Sequence, residues 1–210
     1  VWLRSLREDA RVRREDVFLS KLACPFHTER FGSAPYLRYQ AGWISYEDAL
    51  NAKRARFMRY KVRKLFREFD GRFEGAGESI DAAMEKLMDL HQQRMRAKHR
   101  RGSFADARVR REFAALIGEL GARGLAKVHT IASGKQTIAA VCTFEFRGTV
   151  SYYQGGFDVA YARLSPGLVI HCLRIGEGIH SGAREYDFLT GSEPYKFVWA
   201  NGERPLYQIE

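Results

Sequence analysis

The sequence predicts an α+β fold, in which a mixed and mainly antiparallel β-sheet is flanked by helices. The first half of the chain contains three segments whose apolar residues recur at helical spacing, and the second half changes to strands separated by glycine turns. A further helix lies between two of the later strands. A strand meander that leads into a β-α-β crossover is typical of such sheets.

Three helices are predicted before the strands. The first extends from Tyr46 to Phe69 with Ser45 as its N-cap, and it carries eight Lys or Arg and no acid between Lys53 and Arg67. The second extends from Ser79 to about Lys98, and the third from about Ala105 to Ala122. Their apolar stripes are predicted to be buried, including Phe57 in the first helix and Val109 and Leu116 in the third.

Three strands form the predicted meander, at Ala126–Ala132, Thr137–Phe146 and Thr149–Gln154, with turns at 134–135 and 147–148. A helix is then predicted from Pro166 to about Ser181, because Gly182 stops it.

The segments outside this core are short. Glu185–Leu189, Lys196–Trp199 and Pro205–Ile209 read as strands, the last two forming a terminal hairpin. Near the N-terminus, 16–22 is interpreted as a short strand and 31–35 as a loop, because of its Gly, Ser and Pro content.

Composition restricts the class of protein. With 210 residues, 45% of them hydrophobic, the chain is long enough for a packed core in one domain or one and a half. A net charge of +10 favours anionic partners such as nucleic acid, anionic lipid or a polyphosphate. Cys24, Cys142 and Cys172 have no spacing suited to a disulfide framework or a metal, so we expect reduced thiols and no metal.

No apolar run approaches the ~20 residues needed to cross a bilayer, and no signal peptide is visible, so a cytoplasmic location is expected. The chain begins with Val1, and we expect it to be a fragment of a longer protein.

A candidate anion site lies where the third meander strand leads through a loop into the helix that follows. The loop ends with Ser165, Pro166 and Gly167. The first turn of a helix has unpaired N–H groups and a favourable dipole for negative charge. This segment therefore predicts a phosphate-bearing ligand near Ser165, although Ser-Pro-Gly could also do no more than start the helix.

Three motifs, at 152–158, 161–167 and 186–196, together resemble the GNAT acyltransferase superfamily. More narrowly, they are similar to the branch of cellulose-biosynthesis CelD-type proteins, which is related to the FemAB aminoacyltransferases. The resemblance implies a GNAT fold over residues 36–210. Since members of the family often have a preceding half domain, it also implies that residues 1–35 are the tail of that half.

The resemblance implies that coenzyme A, as acetyl-CoA or another acyl-CoA, is the donor. Its expected binding residues are Gln154, Gly155, Arg163, Ser165 and Gly167. Arg163 would add a charge-assisted contact to the diphosphate, and the strand from Thr149 to Gly155 would run beside the pantetheine arm. The loop keeps the arginine of the usual GNAT phosphate motif but not its glycine pair, which leaves the identity of the acyl donor open.

Three residues are candidates for catalysis. Asp187 would accept the proton of the incoming ammonium, Tyr195 would protonate the leaving thiolate, and Lys196 would hold an anionic substrate or the oxyanion. The alternative for Asp187 is a structural salt bridge, to Lys196 or Arg184. His91, Arg94 and Tyr152 are weaker candidates for substrate contacts, and His91 could equally be a packed core residue.

Three functions remain open at this point. The first is an N-acyltransferase that moves an acyl group, expected to be acetyl, from coenzyme A to an amine on a sugar, lipid or peptide precursor. The second is a FemAB-like transferase that uses aminoacyl-tRNA, with RNA bound by Lys53–Arg67. The third is a non-catalytic basic module that binds nucleic acid or an anionic membrane surface through the same helix.

Overall fold

The computed structural model describes residues 3–7, 27–75 and 80–209. These residues form two compact units, which we describe separately. The larger unit comprises Tyr39–Tyr186, and the smaller one comprises the described residues up to Arg38 and from Asp187 onward. The predicted strand at 16–22 lies outside the described residues.

The larger unit contains four α-helices and five strands. The helices are α1 (Ala52–Glu68), α2 (Ile80–Ala97), α3 (Ala107–Ala122) and α4 (Pro166–His180). The strands are β3 (Gly71–Gly75), β4 (Ala126–Ser133), β5 (Gln136–Phe146), β6 (Thr149–Phe157) and the start of β7 (Glu185–Asp187). They lie in the order β7-β6-β5-β4-β3, and the pairs from β3 to β6 are antiparallel.

The helices cover the two faces of this sheet. α2 and α3 pack on one face, where the core includes Ala140 and Cys142 of β5. α4 packs on the other face, because its Arg174 contacts Thr143 and Glu145 of the same strand. Alternate residues of a strand point to opposite faces, which explains the division. α1 packs against α4.

The connection from β6 through α4 to β7 places the start of β7 beside the start of β6. The N–H of Arg184 donates to the carbonyl of Gly148 at 2.7 Å. β7 has three residues and β6 has nine, so the last residues of β6 extend beyond the end of β7. The mixed, mainly antiparallel sheet flanked by helices confirms the predicted fold class.

In the smaller unit, β8 (Gly202–Ile209) lies between β1 (Leu3–Arg7) and β2 (Thr28–Arg38), antiparallel to both. Two predictions were wrong here. Residues 31–35 belong to β2 and not to a loop, because β8 supplies a hydrogen-bonding partner from the far end of the chain. A register shift between Arg30 and Gly32 leaves Phe31 as the additional residue. Residues 196–198 form a 3-10 turn, so the predicted terminal hairpin does not exist.

The helix expected from Tyr46 is also interrupted. Ser45 caps a separate 3-10 turn, Tyr46–Ala49, and α1 begins only after Asn51, whose side chain accepts the N–H of Arg54. Some apolar residues of the predicted stripes are instead exposed, among them Phe57 and Phe69 of the first predicted helix and Val109 and Leu116 of α3. Phe57, Val109 and Leu116 each lie on the outer side of a helix that is covered on one side only.

Within the described ranges, no group of three or more His, Cys, Asp or Glu residues is arranged to hold a metal ion. No helix among these residues is long and apolar enough to cross a membrane. Cys142 and Cys172 are buried free thiols, and burial raises the pKa of Cys142 to about 12.

Candidate functional site

The loop that follows β6 leads directly into the first turn of α4. A 3-10 segment, Val159–Leu164, ends at Ser165, which occupies the N-cap position, and Pro166 is the first helical residue. Ser165 has a positive φ of 56° and its hydroxyl makes no capping bond, so the position was predicted correctly but the capping interaction was not. The hydroxyl is therefore not used by the helix.

The first turn of α4 offers fewer main-chain donors than the sequence suggested. Pro166 has no N–H, and the N–H groups of Leu168 and Val169 both donate to the carbonyl of Ser165. Among the described residues, nothing accepts a hydrogen bond from the N–H of Gly167. One main-chain N–H and one hydroxyl are therefore not used by the helix at this point.

Two cations lie beside this turn. Arg163 is exposed and immediately precedes it in the loop. Lys61 of α1 donates from Nζ to the carbonyl oxygen of Arg163 at 2.6 Å. The packing of α1 against α4 thus brings the basic helix to the start of α4, a contact that spacing in the sequence does not reveal.

Phe157, the last residue of β6, connects this turn with α2. A Cβ at Gly167 would lie 3.0 Å from Cδ1 of the Phe157 ring, so the absence of a side chain allows close packing there. The guanidinium of Arg94 lies over the same ring, 5.2 Å from its centroid. The structure therefore brings Arg94, a predicted substrate residue, to the ring against which Gly167 packs.

β6 contains a bulge in the predicted donor-binding strand. Cys142 pairs with Gln154 and Thr143 pairs with Tyr152, which leaves Tyr153 as the additional residue. Gln154 points to the α2 face, since directly opposite residues share a face and Cys142 belongs to the core under α2. Gly155 continues the ladder opposite Val141.

Tyr152 lies on the α4 face within a group of buried aromatic rings. Its ring meets His171 edge-on at 4.7 Å, and Nδ1 of His171 lies 3.1 Å from the hydroxyl of Tyr186. Burial raises the pKa of Tyr186 well above its usual value. Neither His171 nor Tyr186 was a predicted site residue, although a histidine among the apolar residues at the start of α4 was a usable signal.

His91 is a packed residue of α2. It is 6% exposed, and its ring meets Phe104 edge-on at 5.1 Å. Burial, together with the nearby charge of Arg94, lowers the pKa of His91, which favours the neutral ring. These contacts agree with the core role that was weighed against a substrate role.

The predicted catalytic residues lie in the smaller unit. Asp187 is buried; its Oδ1 accepts the N–H of Leu189 at 2.8 Å, and its Oδ2 lies 3.4 Å from Arg204 and 4.0 Å from Arg7. Among the described residues, its ion-pair partners are these arginines and not Lys196 or Arg184. The described part of the chain therefore supplies cations that hold the carboxylate.

Lys196 is buried as well. Its Nζ donates to the carbonyl of Thr190 at 2.7 Å and pairs with Glu193 at 3.0 Å. Tyr195, half-buried, precedes it at the start of the 3-10 turn. The structure therefore groups the donor-binding candidates in one unit and the catalytic candidates in the other.

Comparison with known proteins agrees with this architecture. A family model described as acetyltransferase (GNAT) domain matches residues 52–197. No curated protein matches the chain.

Three solved structures are similar in fold at 10–11% identity. They are FemX (TM-score 0.64, 98% of this chain), a conserved protein of unknown function from Bacteroides thetaiotaomicron (0.61, 99%), and the C-terminal domain of a putative lysylphosphatidylglycerol synthetase from Agrobacterium fabrum (0.61, 88%). The chain covers 71%, 68% and 61% of those chains, respectively. Because the family model spans more than half of its length, the chain belongs to the GNAT acetyltransferase domain family.

Proposed function

We propose that this GNAT domain is an N-acyltransferase that takes an acyl group, acetyl in the first instance, from coenzyme A. The observation that carries the proposal is the start of α4, where the free N–H of Gly167, the uncapped hydroxyl of Ser165 and the exposed Arg163 meet. A diphosphate accepts hydrogen bonds from all three types of donor. The neighbouring Lys61 adds positive charge.

The donor's pantetheine arm would follow the end of β6. Because β6 extends beyond β7, an extended ligand with amide groups could lie along this part of the strand and pair with its backbone. The bulge at Tyr153 turns the strand next to this region. One of Gln154 and Gly155 would contribute backbone groups, because consecutive residues of a strand direct their N–H and C=O groups to opposite edges. The N–H of Gly155 donates to Oε1 of Gln154 at 3.3 Å, and a ligand would have to replace this bond if it pairs there.

Asp187, Tyr195 and Lys196 remain proposals as base, acid and oxyanion-binding residue. Asp187 would have to weaken its ion pair with Arg204 in order to take a proton, since both nearby arginines favour the charged carboxylate. As the base, Asp187 would take the proton of the incoming ammonium directly or through a water molecule. The CelD-type relationship and a role in polysaccharide biosynthesis also remain proposals.

Acetyl-CoA at 100 times its Kd is expected to raise the Tm of the protein by about 5–10 °C. Arg163→Ala should weaken this binding about tenfold or more, because it removes a charge-assisted hydrogen bond. Thermal shift against donor concentration measures both effects. The control is Arg123→Ala, an exposed arginine at the end of α3, which should leave the affinity unchanged. A wild-type protein that shows no shift, or equal losses in both variants, would contradict the proposal.

A second candidate, transfer from aminoacyl-tRNA, is favoured by the exposed side of α1. We define the α1 stripe as its exposed residues at spacings of three and four: Lys53, Arg56, Phe57, Tyr60, Arg63 and Arg67. Phe57 and Tyr60 are 48% and 53% exposed. Cations with interleaved aromatic rings suit single-stranded RNA, whose phosphates pair with the cations and whose bases stack on the rings.

Charge reversal on the α1 stripe tests this candidate. If it holds, Arg56→Glu with Arg63→Glu should reduce the salt slope of tRNA binding by about 1.4, the value for two lost phosphate contacts on a single strand. Fluorescence anisotropy at several salt concentrations measures the slope. Arg108→Glu with Arg111→Glu on α3 makes the same change of charge on another exposed surface. Equal salt slopes for the two double variants would mean that tRNA is attracted only by the overall positive charge of the protein, and this would contradict a specific RNA site on α1.

A further inference from the structure

A polar cleft lies between α2 and the turn that joins β4 to β5. Its volume is about 570 Å³, within the range of small-molecule sites. Lys86, Asp89 and Gln93 of α2 line one wall, Lys135 and Gln136 of the turn line the other, and Asp158 closes one end.

The cleft adjoins the end of β6 from the α2 side. Asp158 is the residue that follows β6, and it begins the segment that leads to Ser165. Leu90, another lining residue, packs so closely on β6 that a Cβ at Gly156 would lie 2.7 Å from its carbonyl carbon. One short segment therefore leads from Asp158 in the cleft to the proposed donor site at the start of α4.

Part of the lining is already held in place. Nε2 of Gln136 donates to Oδ2 of Asp158 at 2.6 Å, and Oδ1 of Asp158 accepts the N–H of Ala160 at 2.9 Å. Arg110 donates to Asp89 at 2.9 Å. Each carboxylate retains further acceptor sites, because an ionised carboxylate can accept about four hydrogen bonds.

The other lining groups are available to a ligand. Among the described residues, the structure gives no partner to the side chains of Lys86, Gln93 or Lys135. Leu90 is the single apolar residue of the nine that line the cleft. The lining contains both donors and acceptors, which match hydroxyl groups. The carboxylates of Asp89 and Asp158 can each accept a hydrogen bond from an amine, although Lys86 and Lys135 balance their charge.

We infer that this cleft binds the acyl acceptor, and that the acceptor is an amine bearing several hydroxyl groups, of the amino-sugar class. A lipid amine or an aromatic amine would need an apolar wall, which the lining does not provide. The inference rests on the proposed function, because only a transferase binds an acyl acceptor. Of the sugar, lipid and peptide acceptors that the sequence left open, the lining of the cleft favours the sugar.

Ligand-observed saturation-transfer NMR on the full chain tests the inference without turnover. Glucosamine should bind, glucose should bind more weakly, and cyclohexylamine, an amine without hydroxyls, should not bind. Gln93→Ala with Lys135→Ala should weaken glucosamine binding about tenfold, since each lost hydrogen bond accounts for about 0.5–1.5 kcal/mol. Lys98→Ala, an exposed lysine at the end of α2 outside the lining, should have no effect.

Binding of cyclohexylamine equal to that of glucosamine would overturn the inference, as would an unchanged affinity in the cleft double variant. Circular dichroism melts establish that both variants are folded. The acetyl-CoA thermal shift, measured on the same samples, separates the two proposals. A wild-type protein that binds glucosamine in the cleft but not acetyl-CoA would refute the proposed function and leave the sugar site standing.

Discussion

Replacing Gly156 by alanine is expected to destabilise the protein by about 3 kcal/mol, which corresponds to a fall in Tm of about 10 °C. The added Cβ would lie 2.7 Å from the carbonyl carbon of Leu90 and 2.8 Å from its Cβ, and it would also meet the backbone nitrogen of His91. A backbone neighbour cannot rotate away as a side chain does. α2 would therefore have to move off β6, at the point where α2 meets the end of this strand.

Urea denaturation of the wild type and the variant measures this effect. The matched control is Gly176→Ala in α4, where a Cβ would have no atom within 4 Å. That substitution should stabilise the protein by about 0.5–1 kcal/mol, because alanine loses less backbone entropy in a helix than glycine does. If Gly156→Ala were as stable as the wild type, α2 would not approach β6 as closely as described.

Elements specified by neighbouring residues could be predicted from the sequence. The turns at Gly134 and at Arg147-Gly148 pair Ser133 with Gln136 and Phe146 with Thr149, as expected of hairpins. α4 begins at Pro166, as the Ser-Pro-Gly step predicts. In these cases the residues that determine the conformation are within a few positions of one another.

Features that depend on distant parts of the chain could not be predicted in this way. Residues 31–35 contain Gly and Pro, which favour a loop, but pairing with β8 makes them a strand. Helical spacing groups Phe57 with the buried residues of α1. Its exposure depends on how much of α1 the neighbouring elements cover, and the spacing of apolar residues does not reveal this.

The candidate site also contains some features that neighbouring residues determine and others that depend on distant parts of the chain. The start of α4 was recognisable, because its residues are consecutive, whereas the approach of Lys61 and Arg94 depends on how α1 and α2 pack. His171 and Arg174, one turn apart among the buried apolar residues of α4, gave a signal that was not used. A polar pair on the buried face of a helix indicates a hydrogen-bonded partner on the strands beneath it.

Arg174 is the centre of a polar cluster between α4 and the sheet. It is 2% exposed, and it pairs with Glu145 at 2.6 Å and also with Glu177. His129 of β4 lies 3.2 Å from Glu177.

The contacts within this cluster change the pKa values of two of its members. Burial lowers the pKa of His129, and its hydrogen bond to Glu177 only partly offsets this lowering. Burial opposes ionisation of Glu177, yet His129 and Arg174 together lower its pKa to about 2.

Arg174→Met is expected to destabilise the protein by about 3 kcal/mol at pH 7, although methionine fills a similar volume. The substitution leaves Glu145 and Glu177 without their shared cation, and removing one partner of a buried ion pair is costly. Both glutamates are partly exposed, so solvent screening keeps the loss at the lower end of the range for buried pairs. Urea denaturation at pH 7 measures it.

The pH dependence of the same variant separates an electrostatic cause from a packing defect. The folded-state pKa of Glu177 lies below its ordinary value of 4.5, so its contribution is present above pH 4.5 and is lost as the pH falls towards 2. Arg174→Met removes part of this depression, and the difference from the wild type should therefore narrow below pH 4.5. Arg108→Met, which breaks the exposed pair with Glu112, should change stability by less than about 0.5 kcal/mol. A difference that stayed constant down to pH 3 would mean that packing, and not charge, explains the loss.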